Sequence, residues 1–416
     1  MRATIRLNLI PALLGFSPVV LMLLTWAPDG AASRFAIASN ELTLSVLVAE
    51  VFVILVAARK QMLLSAMCNE AVSPIALAAI SGLFTTAIVT AALVSPVPGA
   101  AFARTAIWII HGLFGFSVMQ LCDTEFKRET MTTAFMIGFV CFAAGLVVFV
   151  LRIPDPGKFD WVSGWPAVTH IRHLGYYAAA VIGLCIGRFA ATAVRNHWKG
   201  TLPVATIAFT LAFWTGTRGA VAAAGAGFVA GMLLFPAMRR WQVWLGTLGS
   251  GVLSAGLVAT LPVPAAHMGL YRSIAASVGA NGSIDTGRTH VWWRTLNAIY
   301  ERPLFGYGDG QMFSVVGLSY AVQPHNVLLQ TLLAWGVVGT VCIVILAVPF
   351  AIRTVRGVRS LSGERLPPVL AMLVLAAYST FDGTLYYVLP VSIFAACVGL
   401  VAREGQVRQP SMMSSK

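Results

Sequence analysis

The sequence predicts an all-α integral membrane protein of about twelve transmembrane helices with one long water-facing loop. Three observations carry this. The 416-residue chain is 58% hydrophobic and 10% charged, where soluble domains carry about 25% charged residues, and its mean hydropathy is +0.82. Its apolar runs are about 18 to 24 residues long, the length that crosses the hydrocarbon as helix, and they lack the alternation of barrel strands. Its net charge of +13 falls mostly in short links between the runs. Those links read as orientation signals in a membrane rather than as a nucleic-acid surface.

The runs follow in order. The first covers residues 9–26 and ends at the PDG turn; two arginines precede it, but no small-residue cleavage site follows, so it reads as an uncleaved first helix. The second, 35–58, stops at Arg59 and Lys60, and the third, 72–94, breaks at SPVPG. The fourth, 102–122, ends at DTEFKRE, and the fifth, 130–151, at RIPDPGK. A polar link holding Trp161, Trp165, His170, Arg172 and His173 precedes the sixth, 174–194. Its tryptophans suit a headgroup interface.

The seventh, 202–217, and eighth, 220–236, are separated only by TGTRG; the ninth is 243–263. After a long loop the tenth runs over 326–352, the eleventh follows the basic link to about residue 380, and the twelfth ends before Arg403. Within the loop, 289–300 patterns as an amphipathic helix with Trp292, Trp293, Leu296 and Ile299 on its apolar side. GYGDG reads as a turn needing permissive dihedrals.

With the N-terminus inside, the basic links at Arg59, at Lys127 and Arg128, from Arg195 to Lys199, at Arg239 and Arg240, and from Arg353 to Arg365 all fall on one side. The tail with Arg403 and Arg408 joins them. The Trp161 link, TGTRG, the long loop and FDGTLYY then face outside. The six cysteines are scattered without a CxxC pair and read as packing residues. The histidines show no HxxxH or HExxH spacing, so no metal site is expected.

On the outer side a few polar residues stand out. Arg218 lies between two apolar runs, where it either snorkels to the surface or contacts an anion in a cavity. Arg288 opens the aromatic helix; with Arg218 it can clamp a diphosphate through charge-assisted hydrogen bonds, or it is an ordinary loop arginine. His325, just before the tenth run, either packs locally or takes a proton from an acceptor hydroxyl. Asp382 can orient a base or a sugar hydroxyl, or simply make its turn. Arg294 and Arg302 are reserve contacts that can equally bind lipid headgroups or pair with Glu301 or Asp309. Tyr386 and Tyr387 suit an interfacial belt or stacking on a sugar ring. Arg172, with His170 and His173, lies on the same side.

TGTRGA around Arg218, GRTHVWWRTLNAIYERPLFGYGDG, PHNVLLQTLLAWGVVG and FDGTLYYVLP, in this order and on this side, resemble the bacterial O-antigen ligase and polymerase superfamily. The resemblance implies a GT-C-type glycosyltransferase of the bacterial inner membrane, with residues 1–263 as transmembrane helices one to nine and 264–325 as a periplasmic loop. Residues 326–402 would then be helices ten to twelve and 403–416 a cytoplasmic tail. It also implies an undecaprenyl diphosphate-linked glycan as donor, with Arg218 and Arg288 on the diphosphate and His325 activating the acceptor hydroxyl. The expected reaction is a single displacement with inversion, needing no cofactor or metal. A ligase would use lipid A-core as acceptor, which is the preferred reading; a polymerase would use a second lipid-linked repeat unit. A transporter of polyprenyl-linked glycans is the reading from another class, weakened by the absence of a visible inverted repeat. Membrane lipids are the remaining partners, and no nucleic acid is expected.

Overall fold

A computed structural model describes residues 2–29, 43–59, 73–192, 198–279, 287–318, 321–360 and 365–402. Lys60, Cys68, Arg195, His197, Asp285 and the tail 403–416 lie outside the described residues. The described chain is helical: α1 (Arg2–Leu24), α2 (Leu44–Arg59), α3 (Pro74–Leu93), α4 (Pro98–Leu121), α5 (Glu125–Leu151), α6 (Ile171–Thr192), α7 (Trp198–Trp214), α8 (Arg218–Leu234) and α9 (Trp241–Thr260). The former loop region holds α10 (Leu270–Gly279), α11 (Arg288–Glu301) and α12 (Met312–Val316). Then come α13 (Val327–Ser360), α14 (Leu366–Ser379) and α15 (Val388–Ala402).

The all-α class stands, but two parts of the expected fold do not. Among the described residues six helices, rather than about twelve, are long and apolar enough to cross a membrane; they lie in α3, α4, α5, α6, α9 and α13. No strand among the described residues supplies a sheet, so the GT-C-type architecture is set aside. The discrepancy in count has a physical cause. The apolar runs there mark helices, but short ones: α7 and α8 have 17 residues each, α15 has 15 and α14 has 14. At 1.5 Å per residue even 17 residues reach only about 25 Å, short of a core about 30 Å thick. The six long helices still make the chain a multi-pass membrane protein.

The central element is α6. Within its apolar window 89% of residues are buried inside the protein, against 28–39% in the other five long helices. It packs on α14, α7 and α8, while α1 packs on α5, α15 on α4 and α13 on α3. One core joins Phe114, Phe139, Tyr177, Phe189, Leu370 and Tyr378. A smaller one, built from Val291, Ala298, Tyr307, Met312 and Leu333, glues α11 and α12 to the start of α13.

That second core is locked by the backbone. α13 breaks at Gly336, with φ 59° and ψ −164°. The segment from Pro303 to Gly308 is laced into the break: Val337 and Val338 donate N–H to the carbonyls of Pro303 and Leu304 at 2.8 and 3.1 Å. Tyr307 and Gly308 donate in return to Leu333 and Ala334 at 2.9 and 2.8 Å. A break inside an apolar span is tolerable because the displaced polar groups find partners in the protein. The exchange also demands two glycines, since a Cβ on Gly336 would strike the Leu304 backbone and one on Gly306 the Leu333 and Ala334 carbonyls.

Candidate active site

The packing of α6 on α14 brings Tyr176 beside the turn that follows α14. That turn carries Asp382, whose N–H donates to the Tyr378 carbonyl at 2.9 Å and whose side chain is 2% exposed. A carboxylate so buried requires donors. Oδ1 accepts from the Tyr176 hydroxyl at 2.8 Å and the Gly383 N–H at 2.8 Å, and lies 2.9 Å from His325 Nδ1. Oδ2 accepts from Arg288 Nη2 at 3.2 Å. Burial pushes the carboxyl's pKa up; the hydrogen bond to His325, with the charges of Arg288 and Arg172, outweighs it and holds Asp382 well below the usual carboxylate range.

His325 reaches this point through two local devices. Asn326 caps α13, its Oδ1 accepting from the N–H groups of Leu328 and Leu329 at 2.9 and 3.1 Å. Its Nδ2 donates to the Thr380 carbonyl at 2.7 Å, so the start of α13 is tied to the Asp382 turn. His325 itself has φ 55°, a left-handed conformation that is uncommon outside glycine. The Gln323 side chain accepts its N–H and also places Nε2 2.9 Å from Nδ1.

Arg288 is the first residue of α11, after Gly287 with φ 81°. Its Nε is buried without a hydrogen-bond partner among the described residues, while Nη2 holds Asp382. Arg218 is the first residue of α8, and the charges of Arg288 and Arg172 both act on it. Arg288 and Arg172 thus act on the carboxylate of the pair, and Arg218 stands within reach of their charges, an arrangement suited to a multiply charged anion. At the edge, burial and then the Arg172 charge lower the His170 pKa from 6.5 to about 4.

Other outer residues sit apart from this group. Arg294 donates to the Val316 carbonyl at 3.2 Å, and Arg302 donates to the Val94 carbonyl at 3.3 Å while its guanidinium covers Tyr307. Tyr386 belongs to a second buried cluster. Arg104 lies 4.0 Å over its ring, donates to its carbonyl at 2.9 Å and pairs with Asp309 at 3.2 Å. Trp108 and Gln330 complete the Asp309 shell at 2.8 and 2.7 Å.

Sequence reasoning passed over Tyr176, Arg104 and Trp108, which lie inside apolar runs, and Gln323. For Gln323 the signal was its place two residues before a histidine at a helix start; for Arg104 it was a charge inside a span. Among the described residues no three His, Cys, Asp or Glu side chains gather in a way that could hold a metal ion.

The fold and site thus define a multi-pass helical membrane protein with a cationic polar cluster built on one buried carboxylate. Residues 203–344 match the O-antigen ligase family, so a domain of that family is present over this part of the chain. The match includes Arg218, Arg288 and His325, whereas Tyr176 and Asp382 lie outside it. It supports glycan transfer of the O-antigen ligase or polymerase type, between lipid-linked glycan donors and their acceptors in general. No curated protein matches the chain.

Proposed function

We propose that the chain transfers a glycan from undecaprenyl diphosphate to a sugar hydroxyl of lipid A-core, with inversion, on the periplasmic face of the inner membrane. The observation that carries this reading is Asp382, whose two oxygens bind His325 and Arg288 at once. With the Nδ1 proton donated to Asp382, the Nε2 lone pair of His325 is available to an acceptor hydroxyl. The hydroxyl proton passes to Nε2 as its oxygen bonds the anomeric carbon. The bond from that carbon to the diphosphate oxygen breaks, and its electron pair leaves with undecaprenyl diphosphate. Arg218 and Arg288, with Arg172 beside them, offset the charge that grows there. The imidazolium then returns its proton to water or the departing diphosphate.

The test is reconstitution of the purified chain with a lipid-linked glycan, offered either lipid A-core or only more donor. Transfer to core is expected. Chain growth without core would make it a polymerase, and donor movement without bond formation would make it a transporter. His325→Ala should lower turnover by about 10²–10⁴-fold while donor still binds. Normal turnover in that variant would remove His325 as the base.

A further inference from the structure

The Nδ1 atom of His325 faces two partners that make opposite demands on it. Asp382 Oδ1, at 2.9 Å, is an acceptor and requires a proton on Nδ1. Gln323 Nε2, also at 2.9 Å, is a donor that also meets the Tyr387 side chain, and it can bond Nδ1 only when that atom is bare. The amide cannot relieve the conflict by turning over. Its Oε1 accepts the His325 N–H, and a flip would aim two donors at each other. Nor can it move aside, because Gln323 is 2% exposed and lies on Gly383, where a Cβ would collide with the amide.

Neutral imidazole satisfies one partner at a time. The form protonated on Nδ1 bonds Asp382 and leaves Nε2 as a base; the form protonated on Nε2 accepts from Gln323 and cannot take a proton there. The carboxylate's pull is divided, since Tyr176, the Gly383 N–H and Arg288 already donate to it. We propose that Gln323 is a positioning residue that competes with Asp382 for His325 Nδ1, holding part of the imidazole in the base-incompetent tautomer until an anionic diphosphate draws Arg288 off Asp382. This rests on the role of His325 as base, and it makes donor binding a condition for activating the acceptor. Water or a lone acceptor then meets an imidazole that is partly disarmed.

The groups that act on His325 come from several elements: Asp382 from the turn after α14, and His170 and His173 from the entry to α6. Arg288 at the start of α11 and Arg172 of α6 act on Asp382, and both also act on Arg218 of α8. Gln323→Glu keeps the acceptor for the His325 N–H and replaces the opposing donor with a second acceptor.

The experiment is ring ¹⁵N NMR on the full chain with labelled histidine, the His325 signals being those lost in His325→Ala. The wild type should show both tautomers, and undecaprenyl diphosphate should shift it towards the Nδ1-protonated form. Gln323→Glu should reach that form without ligand. Asp382→Asn should shift the ring the opposite way, which keeps the test decisive where Gln323→Glu does not fold. A wild-type ring already wholly Nδ1-protonated, or one indifferent to Gln323→Glu and Asp382→Asn, overturns the proposal. Full turnover in His325→Ala would instead overturn the functional reading while leaving the tautomer result to stand.

Discussion

His325 Nδ1 and Asp382 Oδ1 lie 2.9 Å apart across 57 positions of sequence. The contact is held from both ends, because Asn326 ties the start of α13 to Thr380, two residues before Asp382. Arg288 joins the same carboxylate from α11, so the proposed base and the proposed diphosphate contact share a single anchor.

Asp382→Asn tests that sharing. The amide is a weaker acceptor for Nδ1–H and presents no charge to Arg288, so the imidazole loses its orienting partner. Turnover is expected to fall by about 10²–10⁴-fold, with a smaller change in donor KM, measured in proteoliposomes. A variant within a few-fold of wild type would show that the pair is only structural.

Arg288→Lys keeps the charge and loses the planar fork. Lys presents a point charge on a flexible stem, so the site loses the fixed fork that can pass from Asp382 to a phosphate. Transfer efficiency should drop by about 10²-fold, and Arg218→Lys should behave similarly. Because guanidinium groups supply the counter-charge in this scheme, EDTA should leave the rate unchanged. Inhibition reversed by added magnesium would count against the arginine account.

Much of this site was visible in the sequence because polar groups are conspicuous in an apolar chain. Arg218, Arg288, His325 and Asp382 each stand at a helix end or in a turn, where a charge demands an explanation. The Tyr176 hydroxyl was not visible. It sits in an apolar run and meets Asp382 only because α6 packs on α14, 206 positions away. The Arg104–Asp309 pair was hidden in the same way, and Asp309 had been matched to nearer arginines. Span counting failed for a different reason: an apolar run marks a helix without making it long enough to cross, and α7 and α8 have only 17 residues each.

The pKa of His170 predicts an acid sensitivity. It is lowered from 6.5 to about 4, chiefly by burial and then by Arg172. Between those values the unfolded chain binds a proton that the folded chain refuses, so stability falls as pH drops through this window and is unaffected above it. His170→Gln removes this titrating group. Melting temperature followed from pH 7 to pH 4 should therefore fall less steeply in the variant than in wild type, and parallel curves would refute the assignment.

The lacing of Pro303 to Gly308 into the break of α13 makes the last prediction. Gly336 adopts φ 59° and ψ −164°, a region that is almost exclusive to glycine, and its missing Cβ is where the Leu304 backbone passes. Gly336→Ala must either strain the backbone, at about 1–3 kcal/mol, or expel the strap and strand the hydrogen bonds of Val337 and Val338. The second outcome would loosen α11 from α13, because both pack on the core around Tyr307 and Leu333. Arg288 and His325 stand at the free ends of those two helices, so their spacing would loosen with it. The variant should show a lower melting temperature and a lower turnover together, with added protease sensitivity between Glu301 and Gln311. A stable variant with normal turnover would mean that the strap does not set the geometry of the site.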